Sequence, residues 1–201
     1  MKIESLLTKR LFLLAATATM LLIAGCGNTY VRNLKPPPLI KTSANVMPCS
    51  VGVVVSKDLI EYRTVLKYLE GDQTYIFRSL PDFLMQTLIA HFEKVDIVPD
   101  GEPIPKEKFD LIARMSITTE ERKQNWAVAG FFMTITLKIE DRNGRNLLTK
   151  SLDVENGVFG EAPYGEAETR ASQAVAKTFA FFGEAIERSA VCRLALESSF
   201  P

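Results

Sequence analysis

Apolar and polar residues alternate most regularly between positions 131 and 154. Phe131, Met133, Ile135, Leu137 and Ile139 share one side of an extended chain, and Phe132, Thr134, Thr136, Lys138 and Glu140 share the other. Asn143-Gly144 follows, a strong hairpin turn signal, and Leu148, Leu152 and Val154 carry the apolar side back along a return strand. Leu111, Ala113, Met115 and Ile117 alternate with Ile112, Arg114, Ser116 and Thr118, the pattern of a half-buried strand. The β-branched run Val51-Gly52-Val53-Val54-Val55 suits a buried strand. Residues 61–78 read as a hairpin turning at Glu70-Gly71-Asp72-Gln73, with a helix over 57–69 as the rival.

Two stretches have helical period instead. Ser79-Leu80-Pro81-Asp82 forms a start signal, Ser79 as cap and Pro in the first turn. Leu84, Leu88, Phe92 and Val95 then make one apolar stripe. Residues 166–190 form the longer helix. At 100° per residue, Ala171, Ala174, Val175, Thr178, Phe181, Phe182 and Ile186 fall within one sector, and Glu166, Glu168, Lys177, Glu184 and Arg188 fall outside it. Segments 99–108 and 157–165, rich in Pro and Gly, are connections. Alternating strands imply an antiparallel sheet with one buried face, and two amphipathic helices can cover it. The expected fold is therefore a two-layer α+β domain.

The first 25 residues have a different pattern. Lys2, Lys9 and Arg10 face one acid, Glu4, and residues 11–24 carry no charge. A basic head before a short apolar core is the form of a secretory signal. The run is too short for the roughly 20 apolar residues a spanning helix needs. Ile23-Ala24-Gly25-Cys26 resembles the lipobox of bacterial lipoproteins. That resemblance implies a diacylglyceryl thioether on Cys26 and cleavage just before it. The bland alternative is an ordinary signal peptide that happens to hold a cysteine. The expected organisation is a signal over 1–25, lipidated Cys26 with a Pro-rich tether over 26–48, one domain over 49–192 and a tail over 193–201.

Cleavage would leave 176 of the 201 residues. Taking Lys2, Lys9, Arg10 and Glu4 from 24 basic and 24 acidic residues leaves 21 against 23. That balance offers no broad basic field for nucleic acid or anionic lipid. Of three cysteines, Cys49 and Cys192 remain after Cys26. They flank the expected domain in a compartment that permits disulfides, and are either bonded to each other or two free thiols.

Catalytic motifs are missing from the sequence. It has no Gly-x-Ser-x-Gly elbow, no Gly-x-Gly-x-x-Gly and no phosphate-cradling loop. The single histidine, His91, reads as a helix-surface residue. Two carboxylate pairs, Glu120/Glu121 and Glu166/Glu168, read as solvated faces. Asp141-Arg142-Asn143-Gly144 shares an acid and a Gly with calcium loops, but the hairpin accounts for all four residues. Neither a cofactor nor a metal is expected. Trp126 is either a core residue or a contact for a partner, tryptophan being enriched at binding hot spots.

In element order the chain resembles small Gram-negative envelope lipoproteins, chiefly the YajG family. Similar layouts occur in the lipopolysaccharide-assembly lipoprotein and in auxiliary lipoproteins of lipid-transport ABC systems. This implies a non-enzymatic accessory or interaction subunit of a cell-envelope complex, held on the membrane by Cys26 and working with a protein partner. The alternative is a carrier of a lipid or other apolar ligand, to which Phe131, Phe132, Phe179, Phe181 and Phe182 could contribute. Gly27 after the lipidated Cys implies the periplasmic side of the outer membrane under enterobacterial sorting.

Overall fold

The computed structural model describes residues 28–36, 46–66, 72–105, 107–124, 127–154 and 164–197. Its elements run β1 (Asn28–Asn33), β2 (Met47–Val55), α1 (Lys57–Ile60), β3 (Glu61–Leu66), β4 (Gln73–Arg78), α2 (Leu80–His91), β5 (Phe92–Pro99), β6 (Leu111–Gln124), β7 (Ala127–Asp141), β8 (Asn146–Asp153), α3 (Tyr164–Arg188) and α4 (Val191–Glu197). The class is α+β. The strands form two sheets, ordered β5-β2-β6-β7-β8 and β1-β4-β3.

The expectation of a wholly antiparallel sheet needs correction. β6, β7 and β8 are antiparallel, but β2 runs parallel to both β5 and β6, and β1 runs parallel to β4. A strand paired on both edges and covered on both faces must be apolar on both. β2 meets that demand. Cys49, Val51 and Val53 are buried among the helices, while Val54 joins Val98, Phe109 and Ile112 in a small cluster on the opposite face. Phe109, from the connection before β6, lies flat on Gly52. A Cβ there would come within 2.9 Å of the ring.

The main core lies between the larger sheet and α2, α3 and α4. Leu111, Ala113, Met133, Ile135, Leu137 and Ile139 supply the sheet side; Leu84, Leu88, Val175, Phe182 and Ile186 supply the helix side. Fully burying each of these side chains larger than alanine stabilises by about 1.5–3 kcal/mol. The buried face of α3 is rotated slightly from the expected sector: Phe179 points in and Phe181 is 57% exposed. Phe179 stacks edge-on against Phe182, with centroids 5.4 Å apart, and also meets Phe83. Helix α2 stops at His91, and Phe92 already belongs to β5. Val95 therefore lies on a strand, not on the helical stripe.

The 61–78 hairpin forms, with Leu66 opposite Gln73 and Glu61 opposite Arg78. One helical turn, α1, precedes it. The β7–β8 turn differs in type from a two-residue turn. Gly144 has φ +83°, its N–H donates to the Asp141 carbonyl, and Asp141 N–H donates to the Arg145 carbonyl. This is a three-residue loop with the glycine in the left-handed position.

The tether and tail assignments also need correction. Residues 28–33 form β1, and Leu34 is buried. Asn33 N–H donates to Glu168 and Lys35 N–H to Ser172 of α3. The three prolines at 36–38 hid a strand that precedes them. The domain therefore begins before Cys49, and α4 occupies most of the supposed tail. Cys26 and Trp126 lie outside the described residues.

Cys49 of β2 and Cys192 of α4 form a disulfide, with Cα atoms 5.8 Å apart and a sequence separation of 143. Closing so long a loop is expected to stabilise the fold by about 2–5 kcal/mol. In a thermal melt, the double variant Cys49→Ala/Cys192→Ala should unfold several degrees below the wild type, and reductant should bring the wild type down to meet it. Equal melting temperatures would contradict this.

Candidate functional site

Chain connectivity leaves an apolar groove where the two sheets part. β2 ends at Val55 and β5, its parallel neighbour, at Pro99; these two residues are registered partners. β4 ends at Arg78, and the chain turns at once into α2. Ligand sites in parallel sheets favour this location, outside the carboxyl ends of the strands. The groove has a volume of about 630 Å³. Its apolar walls are Val55, Ile60, Pro81, Met85 and Ile97.

Two of these side chains are unusually wet. Ile60 and Ile97 are each 58% exposed. In α1, a single turn, the Leu59 N–H bonds the Ser56 carbonyl at 3.0 Å. That turn places Leu59 in the core and leaves Ile60 facing out. Ile97 sits on an edge strand whose alternation buries Val98 instead. Leaving two isoleucines in water forgoes burial worth about 1.5–3 kcal/mol each.

Ser79 shapes one wall. Among the described residues it is the only non-glycine with positive φ, +66°. Its hydroxyl makes no cap bond, contrary to the capping expected of it, and its carbonyl instead accepts the Asp82 N–H at 3.1 Å. A left-handed non-glycine backbone costs on the order of 1–3 kcal/mol and persists only where its surroundings impose it. Here it directs the chain from β4 into α2 at the groove's edge. The rim is charged: Arg78 Nη2 lies 3.0 Å from Glu61 Oε2, and Lys57, Asp82 and Asp100 stand nearby. Exposed pairs of this kind contribute roughly 0–1 kcal/mol. Sequence reasoning missed Ile60 and Ile97, because exposure at isolated apolar positions leaves no periodic trace, and it read Ser79 only as a helix cap.

His91, Asp141 and Glu166, weighed for chemistry in the sequence, have structural partners. His91 Nδ1 lies 2.6 Å from the Thr87 carbonyl and its Nε2 lies 3.2 Å from Glu187. The ring fills the space over Gly183, joining α2 to α3. Asp141 Oδ1 accepts the Asn143 and Arg145 N–H groups, both at 2.9 Å, so its carboxylate closes the turn. Glu166 pairs with Arg170. Among the described residues no cluster of His, Cys, Asp and Glu could hold a metal, and no helix is long and apolar enough to cross a membrane.

One carboxylate is held by more than solvent. Asp110 Oδ2 accepts from the Ser50 N–H and hydroxyl at 3.0 and 2.8 Å, and Oδ1 accepts from Arg142 Nη2 at 2.7 Å. Burial pushes this carboxyl up, but the Ser50 bonds and the Arg142 guanidinium outweigh it and leave it below the usual carboxylate value. The cluster locks β2 to the start of β6 and to the β7–β8 turn.

The fold and groove define an α+β domain that presents an apolar cleft with a charged rim. No protein-family model matches the chain, and no curated protein matches it by sequence. Among solved structures, a DUF330-family protein from Xanthomonas campestris is similar with 9% identity and a TM-score of 0.49, covering 78% of this chain and 93% of its own. A homolog of the neuraminyllactose-binding hemagglutinin from Helicobacter pylori is similar with 14% identity and a TM-score of 0.39, covering 80% and 96%. Likenesses this distant do not bear on function.

Asp110 gives a pH signature. A carboxyl with a depressed folded-state pKa adds stability above its unfolded pKa of about 3.9, and that stability fades as pH falls through the folded value. Asp110→Asn should therefore cost of order 1–2 kcal/mol at pH 7, and the difference should shrink below about pH 4. Urea unfolding at the two pH values checks this; a gap unchanged by pH would contradict it.

Proposed function

We propose that this chain is a lipid-anchored, periplasm-facing envelope lipoprotein, a non-enzymatic accessory subunit whose groove receives an apolar segment of a protein partner. The observation that carries the proposal is the groove itself, with Ile60 and Ile97 left in water beside a positive-φ Ser79. Apolar side chains flanked by charge are the usual form of an interface core with a polar rim. The anchor rests on the lipobox-like Ile23-Ala24-Gly25-Cys26, and placement on the outer membrane rests on Gly27. Trp126 adds a second candidate contact.

The alternative, a carrier of a lipid or other apolar ligand, draws on the groove's volume. About 630 Å³ falls within the roughly 300–1,000 Å³ of small-molecule sites. The phenylalanines lend it less, since Phe179 and Phe182 are spent on core packing.

The two readings separate in cells. A photo-crosslinking amino acid at Ile60 should yield a discrete protein adduct, which Ile97→Glu should reduce several-fold without lowering the melting temperature by more than a few degrees. An adduct unaffected by Ile97→Glu contradicts the partner reading. A co-purifying lipid in native mass spectra with no protein adduct supports the carrier instead.

A further inference from the structure

Taking the lipid on Cys26 as given, we propose that the domain rests directly on the bilayer, on the end of the three-stranded sheet where β1 begins, and that the groove opens away from it. Chain length carries the first half. β1 starts at Asn28, two residues after Cys26. Two residues span at most about 7 Å, and each headgroup layer is only about 5–7 Å deep. Asn28 therefore cannot leave the membrane surface.

Sheet register carries the argument to neighbouring strands. Asn28 is paired with Gln73, the first residue of β4, and Gln73 with Leu66, the last of β3. Strands lie about 4.7–4.9 Å apart, so three strand ends meet the headgroups together. β1 is not a loose arm that could lift away. Its Arg32 is buried, its Tyr30 stacks on Tyr75 of β4, and its far end is bonded to α3. Exposed residues at the membrane end include Asn28, Thr29 and Asp72.

The same register places the groove. β1 and β4 end together at Asn33 and Arg78, and Glu61 opens β3 beside them. Arg78 and Glu61 belong to the groove rim. Gln73 and Arg78 are the two ends of β4, five residue steps apart, or up to about 17 Å. The anchor and the groove thus occupy opposite ends of one small sheet. This orientation favours an occupant that arrives from the aqueous side, an apolar or amphipathic protein segment, over a lipid of the anchoring leaflet.

Depth-dependent quenching tests this. The processed protein is reconstituted in phosphatidylcholine vesicles containing a headgroup-nitroxide lipid. A fluorophore is attached at Asp72→Cys, at the membrane end, or at Lys57→Cys, on the groove rim; the native cysteines are blocked by lipid or by the disulfide. Quenching at position 72 should exceed that at 57 several-fold. A ten-residue Gly/Ser insertion between Gly27 and Asn28 should abolish the difference while flotation with vesicles persists. Flotation with equal quenching at both positions overturns the orientation and leaves the anchor standing. Failure to float overturns the anchor and the orientation with it.

Discussion

Burial of β2 on both faces is the constraint from which the rest of the structure follows. A strand with parallel neighbours on both edges cannot present a wet side, and Val51, Val53 and Val54 fill both faces with β-branched side chains. Three further ties converge on the same strand. The disulfide at Cys49 holds α4, Ser50 holds Asp110 and through it Arg142, and Gly52 leaves room for Phe109. Each fixes a different part of the chain to one nine-residue element.

The groove is the consequence of where that strand stops. Beyond Val55 the chain makes a single helical turn and leaves for the second sheet. β5, registered with β2, ends at the same level. Neither the helices nor the smaller sheet close the gap. Ile60 and Ile97 remain uncovered there because the core around them is complete: Leu59 and Val98, their neighbours in sequence, take the buried positions. Function in this reading arises from an edge that the core leaves open, and the proposed lipid would fix which way that edge faces.

Much of the fold was legible in the sequence, for identifiable reasons. The β7–β8 hairpin has an unbroken period of two on both sides, and a turn with its own glycine. Helix α3 has a full apolar face, although choosing between Phe179 and Phe181 required knowing the rotation within about one residue. Parallel pairing was not legible, since Val51–Val55 reads the same with either neighbour direction. The α2–β5 junction was hidden because no Gly or Pro separates His91 from Phe92 and the helical spacing runs on through Val95. β1 was concealed by the prolines that follow it. The groove left no pattern at all, its apolar walls being assembled from four segments with one or two such residues each.

The proposed role rests most on a lipid at Cys26, because that bond would turn a folded domain into a membrane subunit with one end fixed. Intact mass spectrometry of protein extracted from membranes measures it directly. The account predicts a chain that begins at Cys26 and carries the added mass of a diacylglyceryl group, with or without a further acyl chain. A mature chain with an unmodified Cys26, or one that begins at another residue, would contradict it.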